Sequence, residues 1–436
     1  MYFNRDFYLK KLADRQLNGR IKLITGIRRC GKSVLLFDIF MNHLKQNGVQ
    51  DNQIIALKLD VAANAQFRNP LELDKHLRGH ITDASKQYYV LLDEIQEVRP
   101  IVNPWLNDKN ETIGFVDVLL GLLELKNVDI YVTGSNSKML SSDILTEFKD
   151  RGDEIHVNPL SFKEFYSVFA GDKRQAWQEY ATFGGLPHIL EEKTDEDKSR
   201  YLQNLIKKTY LTDVIERNNL KKDISVLDDL LNIVASNVGS LTNPTKLEST
   251  FASVKQKKVS DSTISSYIAF FGDAFLLHTA SQYNIKGRKY IGSPMKYYFS
   301  DIGLRNAQLN FRQQDEGHIM ENVLYNELNL RGFNVDVGVV EINTKDEEGR
   351  SKRIRYEVDF VVNMGDKRCY IQSAFAIPDE DKLKQETNSL RRIKDSFKKI
   401  VVKGNHFKPW TDDNGILYIG IEDFLLNYID KLKELL

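Results

Sequence analysis

The sequence predicts an α/β protein in three parts: a parallel sheet wrapped by helices, a helical segment closed by a hairpin, and a smaller α/β domain. Three observations predict it. Up to about Leu160, short and continuously apolar runs alternate with helical stretches, as strands buried on both faces do. Between Val226 and Phe299, three short helical stretches precede two strand-like runs. From Gly317, a helix leads into strands divided by a charged loop. At 436 residues the chain exceeds one ordinary core, and two to four domains follow at roughly 100–200 residues each.

Composition narrows the function classes. Hydrophobic residues make up 42% and charged residues 28%, the balance of a folded chain. Lys+Arg and Asp+Glu both number 61, so nothing pulls the whole molecule toward nucleic acid, and a DNA site must be a local patch. The start "MYFNRDFYLK" has no apolar leader, and the richest apolar run, "FVDVLLGLLELK" (Phe115–Lys126), is broken by charge. Two cysteines, Cys30 and Cys369, make no disulfide framework. The expectation is a cytoplasmic protein with no membrane partner.

The first four strands are "IKLITG" (Ile21–Gly26), "IIALKLD" (Ile54–Asp60), "YYVLLDE" (Tyr88–Glu94) and "DIYVTGS" (Asp129–Ser135). The first runs into "GIRRCGKS" (Gly26–Ser33), which fits G-x-x-x-x-G-K-[ST] and opens the apolar helix "VLLFDIF". Gly26 and Gly31 let the backbone curl, so that the loop Gly26, Ile27, Arg28, Arg29, Cys30, Gly31, Lys32, Ser33 and Val34 can cradle phosphate oxygens. Lys32 would neutralise β- and γ-phosphate charge, and Ser33 would ligate Mg²⁺. Arg28 and Arg29 read equally as phosphate contacts or solvated surface. Cys30, at a helix N-terminus, reads first as a small residue tolerated in the loop, and second as a thiol whose oxidation would block nucleotide binding. "YYVLLDEIQ" ends a strand in Asp93, for the Mg²⁺ shell, and Glu94, to polarise the attacking water. No N-K-x-D guanine-reading motif is present, and "NLKKD" (Asn219–Asp223) has the wrong spacing. ATP with Mg²⁺ is the expected cofactor pair, and hydrolysis the expected reaction.

"TGIRRCGKS", "LLDEIQ", "VTGSNSKMLSSDI" and "PLSFKEF" (Pro159–Phe165) resemble a large group of prokaryotic AAA-type P-loop ATPases that carry a C-terminal domain of uncharacterised function. The resemblance covers nearly the whole chain and implies an AAA-type ATPase domain over 1–165. It also implies that Asn136, or Ser135 beside it, is the polar sensor of the γ-phosphate. Arg151 stands where an arginine finger is expected, although "KDRGD" replaces the family's usual Gly-Arg pair. A finger acting in trans requires a homo-oligomer.

Residues 166–224 read as a helical lid or linker, broken at "FGGLPH" (Phe183–His188). Residues 225–311 have the outline of a winged helix-turn-helix: "VLDDLLNIVASNVG", then "NPTKLESTFASV" with Asn243 as N-cap and Pro244 at N1, then "SDSTISSYIAFFGDA". The third helix would present Ser262, Ser265, Ser266 and Tyr267. The turn with Lys286, Arg288 and Lys289 would be the wing tip, and "KQKK" (Lys255–Lys258) adds charge. A packing or interaction module without DNA fits the same pattern.

Residues 312–436 resemble a PD-(D/E)xK nuclease with a degenerate ending. Glu321 lies on the helix of "GHIMEN", and Glu357 and Asp359 lie in "YEVDF". On the return strand, Gln372 stands at the second carboxylate and Ala374 at the lysine. Gln substitutes poorly for a carboxylate around Mg²⁺, and Ala374 can do no acid–base work, so cleavage is not expected. The whole chain thus reads as an ATPase whose C-terminal half engages a partner, with DNA through the winged helix as first candidate. An ATP-regulated scaffold that binds protein is one alternative; an ATP-gated, metal-dependent nuclease is another.

Overall fold

The computed structural model describes residues 3–106, 108–134, 148, 151–218, 220, 224–345, 349–376 and 380–435. Contacts group the chain into two compact units, Met1–Pro159 with Asp273–Phe275, and Leu160–Gly272 with Leu276–Leu436.

In the first unit β1 (Ile21–Thr25), β2 (Ile54–Lys58), β3 (Tyr88–Asp93), β6 (Val128–Thr133) and β7 (Gly152–His156) form a parallel sheet in the order β2-β3-β6-β1-β7. A two-stranded ribbon, β4 (Ile101–Val102) with β5 (Thr112–Ile113), stands apart from it. β1 and β3 are buried at every residue, as strands covered on both faces must be. β7 escaped the sequence reading because "GDEIH" is polar. It lies at the sheet edge, and only Ile155 is buried. The apolar run at Phe115 becomes the helix Phe115–Leu123, which buries Phe115, Val118, Leu119 and Leu122 at i, i+3, i+4 and i+7.

The second unit is built on an eight-stranded mixed sheet. Its strands are β8 (Leu277–Asn284), β9 (Lys289–Phe299), β10 (Asn334–Lys345), β11 (Ser351–Met364), β12 (Lys367–Ala374), β13 (Lys398–Lys403), β14 (Trp410–Thr411) and β15 (Ile416–Gly420). Their order is β14-β15-β13-β12-β11-β10-β8-β9. The three expected helices form at Ile224–Ser236, Pro244–Thr250 and Asp261–Asp273, and the hairpin forms from β8 and β9. Asn243 caps the middle helix by accepting from Lys246 N at 2.7 Å.

Two expectations need correction. Tyr267 faces the core rather than solvent and is 5% exposed, while Ser262, Ser265 and Ser266 are exposed. Helical spacing explains this, because Tyr267 stands three residues after buried Ile264. In addition, no seam separates the hairpin from the later strands at 311/312. β8 pairs in parallel with β10 through Gln282, Tyr283 and Asn284, so both belong to one sheet.

Glycines lock the helical part of this unit together. Gly184 has φ +77°, and a Cβ there would stand 2.2 Å from Asp301 Oδ1. Asp301 is buried. It accepts from Gly185 N at 2.7 Å and Leu304 N at 3.1 Å. The "FGG" break is therefore the socket for the cap of the helix Ile302–Gln308. The "PLSF" segment docks similarly: Phe162 N donates to buried Glu327 Oε1 at 2.6 Å, and Ser161 with Glu164 forms a capping box.

Candidate functional site

The loop after β1 has the backbone its sequence requires. Gly26 takes φ +136°, and a Cβ there would lie 2.1 Å from Val157 O. Gly31 takes φ +100° and Arg29 takes φ +63°. Lys32 is buried, and its ammonium donates to Gly26 O at 2.9 Å and Ile27 O at 3.1 Å. Ile27 and Cys30 are buried, Arg28 is half-buried, and Arg29 and Val34 are exposed. Burial favours the first reading of Cys30, because a thiol with no exposure is out of reach of solvent oxidants. Buried Arg5 holds the loop from outside, donating to Cys30 O at 2.9 Å and Asn158 O at 2.7 Å.

Across the sheet, β3 ends at Asp93 beside β6, which ends at Thr133. Thr133 Oγ1 donates to Asp93 and accepts from Glu94 N at 3.0 Å. Burial raises the Asp93 carboxyl above its ordinary range, while hydrogen bonds from Thr133 and Ser33 pull it back. The Ser33 hydroxyl and the Asp93 carboxylate are thus side by side, two oxygens of the kind a hard cation takes. Glu94 sits in the left-handed region at φ +53°, which turns its side chain off the strand. The Gln96 amide donates to Glu94 Oε2.

Arg151 is exposed and paired with Glu124 at 3.2 Å. It precedes β7, which runs parallel to β1 with Ile21 opposite Gly152. The phosphate loop leaves the other end of β1, about 16 Å away at ~3.3 Å per residue. Arg151 therefore does not reach the phosphates of its own chain. Ser135 and Asn136 lie outside the described residues.

In the second unit, Glu357 and Asp359, two residues apart on one face of β11, meet Glu321 of the helix Glu316–Leu330 around one pocket. Nothing in the strand spacing points to what stands between them. Lys296 of β9 places its ammonium 2.8 Å from Glu321 Oε1, 2.6 Å from Glu357 Oε1 and 3.5 Å from Asp359 Oδ1. Burial opposes the ammonium charge, but the three carboxylates outweigh it and hold Lys296 above its ordinary value. Tyr298 O–H donates to the same Glu321 oxygen at 2.6 Å, and Ser373 N donates to Asp359 Oδ2 at 2.8 Å. Burial first, then Glu321, pushes the Asp359 carboxyl up to about 8, with Lys296 acting against the rise. Gln372 and Ser373 line the same pocket, of about 490 Å³, with Lys246, His318 and Glu386. As folded, with the Lys296 ammonium among these carboxyl groups, the described residues include no group of three or more His, Cys, Asp and Glu side chains disposed to hold a metal ion.

Residues 18–166 match the AAA domain family, and residues 174–315 match a domain of unknown function, DUF8612. An uncharacterized protein of Haemophilus influenzae is 32% identical over 429 residues, spanning 97% of this chain and 98% of its own. The chain belongs to that protein's family. A second uncharacterized relative, from Methanocaldococcus jannaschii, is 28% identical over 96% of this chain and 87% of its own. Among solved structures, the Aeropyrum pernix ORC1 protein in complex with DNA is similar at 12% identity over 71% of this chain and 92% of that one, with a TM-score of 0.28. A DNA replication initiation factor is similar at 16% identity over 52% of this chain and 65% of that one, with a TM-score of 0.25. The assignment of an AAA-type ATPase domain rests on the family match, together with the parallel sheet and its glycine loop. Among the described residues, no helix is long and apolar enough to cross a membrane.

In this family member, sequence reasoning missed Arg5, Gln96, Thr133 and Lys296. Thr133 carried a signal, since it is the polar residue ending an apolar strand. Gln96 stood within the quoted "LLDEIQ". Arg5 and Lys296 carried none, because their partners are distant in the chain.

Proposed function

We propose that the chain binds ATP in the loop Gly26–Val34, hydrolyses it, and uses the cycle to change how its C-terminal half holds a partner. The observation that carries this reading is the meeting of Ser33, Asp93 and Glu94 at one corner of the loop. The residues suit the nucleotide: Gly26, at φ +136°, lets the loop turn close against Val157, and Lys32 supplies a buried ammonium. Mg²⁺ held by Ser33 and Asp93 would neutralise charge developing on the phosphates. Glu94 accepts the proton of the attacking water, and Gln96 and Thr133 fix where Glu94 points. Lys32→Ala should abolish nucleotide binding. Glu94→Gln should keep it and lose roughly 10²–10⁴ in turnover. Wild-type turnover in Glu94→Gln would remove Glu94 from this role.

DNA is the first candidate partner, supported by the exposed turn Lys286, Arg288 and Lys289. A protein partner is supported by two other observations. Lys255 and Lys257 are already paired with Asp229 at 2.7 and 2.8 Å. A largely apolar cavity of about 350 Å³, lined by Pro244, Ile268, Ala269, Met295 and Tyr297, lies beside the third helix. Duplex binding that weakens steeply with salt supports DNA; none at low salt leaves the protein partner.

A further inference from the structure

We propose that the acidic pocket of the second unit is a cation site whose resident cation is the chain's own Lys296, and that it accepts a divalent ion only once that lysine is removed. This inference does not depend on the ATPase reading. Carboxylate oxygens from a helix and a strand converge on one point, and the Lys296 ammonium occupies it, within 3.5 Å of all three. Carboxyl groups gathered in the interior can ionise there only with a positive charge among them, and removing it leaves that negative charge uncompensated. A divalent ion binding the same oxygens at about 2.0–2.6 Å would stand where the ammonium nitrogen stands, so the two exclude one another.

The second observation is Gln372. Its side chain is 8% exposed, and its Oε1 is buried without a hydrogen-bond partner. It lines the same pocket as Glu321, Glu357 and Asp359. The Lys296 ammonium donates to Glu321 Oε1 and lies beside the other two carboxyl groups, and it does not serve this oxygen. A hard cation, which takes six to eight oxygens, has room for it. The pocket thus carries one buried oxygen that its lysine leaves unused.

The neighbours hold the oxygens still. Tyr298 fixes Glu321, and the Ser373 amide fixes Asp359. Lys296 comes from β9, outside the hairpin of β11 and β12 that supplies Glu357, Asp359 and Gln372. The substitution Lys296→Met removes the charge and keeps a long apolar stem.

The test is Mn²⁺ binding to the full chain without nucleotide, read by electron paramagnetic resonance and equilibrium dialysis. The wild type should show no Mn²⁺ site that Asp359→Asn abolishes. Lys296→Met should gain one Mn²⁺ per chain, at least tenfold tighter than any wild-type binding, and Lys296→Met/Asp359→Asn should lose it. Wild-type binding that disappears in Asp359→Asn would overturn the proposal, as would a folded Lys296→Met that gains no site. If Lys296→Met does not fold, Lys296→Met/Glu357→Gln, with one carboxylate charge fewer, takes its place and must gain the site.

Discussion

Gln96 donates to the carboxylate that the proposed reaction needs, from two residues further along the chain. Gln96→Ala should lower kcat by about ten- to a hundredfold while leaving nucleotide affinity unchanged, because only the aim of Glu94 is lost. Steady-state kinetics with a separate nucleotide-binding titration checks it, and a proportionate change in both constants would point to general damage. Asp359 supports a prediction about pH. Its folded carboxyl is raised from 3.8 to about 8, so between those values the folded state holds a proton that the unfolded state has released. Stability must then fall as pH rises through that window. Asp359→Asn should flatten the decline, measured by denaturant titration at pH 5 and pH 8. A slope identical to wild type would mean that Asp359 ionises normally.

Among the elements, those with a continuous or periodic apolar pattern could be read directly from the sequence. β1, β2, β3 and β6 and the capped helix at Asn243 are examples. The polar edge strand β7 carried no such pattern. The phosphate loop was legible because its chemistry is local, with eight consecutive residues making one cradle. The acidic pocket was only half legible. Glu357 and Asp359 share a strand face, but Lys296 enters from a strand some sixty residues earlier, and strand spacing says nothing about such a neighbour. The socket formed by "FGG" and Asp301 is equally non-local. Asp301→Ala would leave the Gly185 and Leu304 amides unpaired in the interior, at a cost of about 2–4 kcal/mol. Chemical denaturation should show it, and a loss under about 0.5 kcal/mol would mean that the socket contributes little.

At the scale of the whole molecule, the position of Arg151 carries the main consequence. It stands at the far end of the sheet from its own phosphate loop, so a catalytic role requires a second copy of the chain. Lys32→Ala and Arg151→Ala should each be inactive alone. Mixed, they should recover part of the wild-type rate, since an intact loop can then meet an intact arginine. Mass measurement in ATP should show assembly. A monomer that hydrolyses ATP at full rate would confine Arg151 to its surface pair with Glu124.

The parallel pairing of β8 with β10 bears on how the chain can be divided. A protease that nicks the backbone near 311 would not release two independent bodies, because three pairs of residues from Gln282–Val337 to Asn284–Val339 run across the cut. Each fragment alone would carry a raw strand edge, open to indiscriminate pairing with other chains. The nicked halves should instead stay together through gel filtration and part only in denaturant. Expressed separately and mixed, they should reassemble without a covalent link.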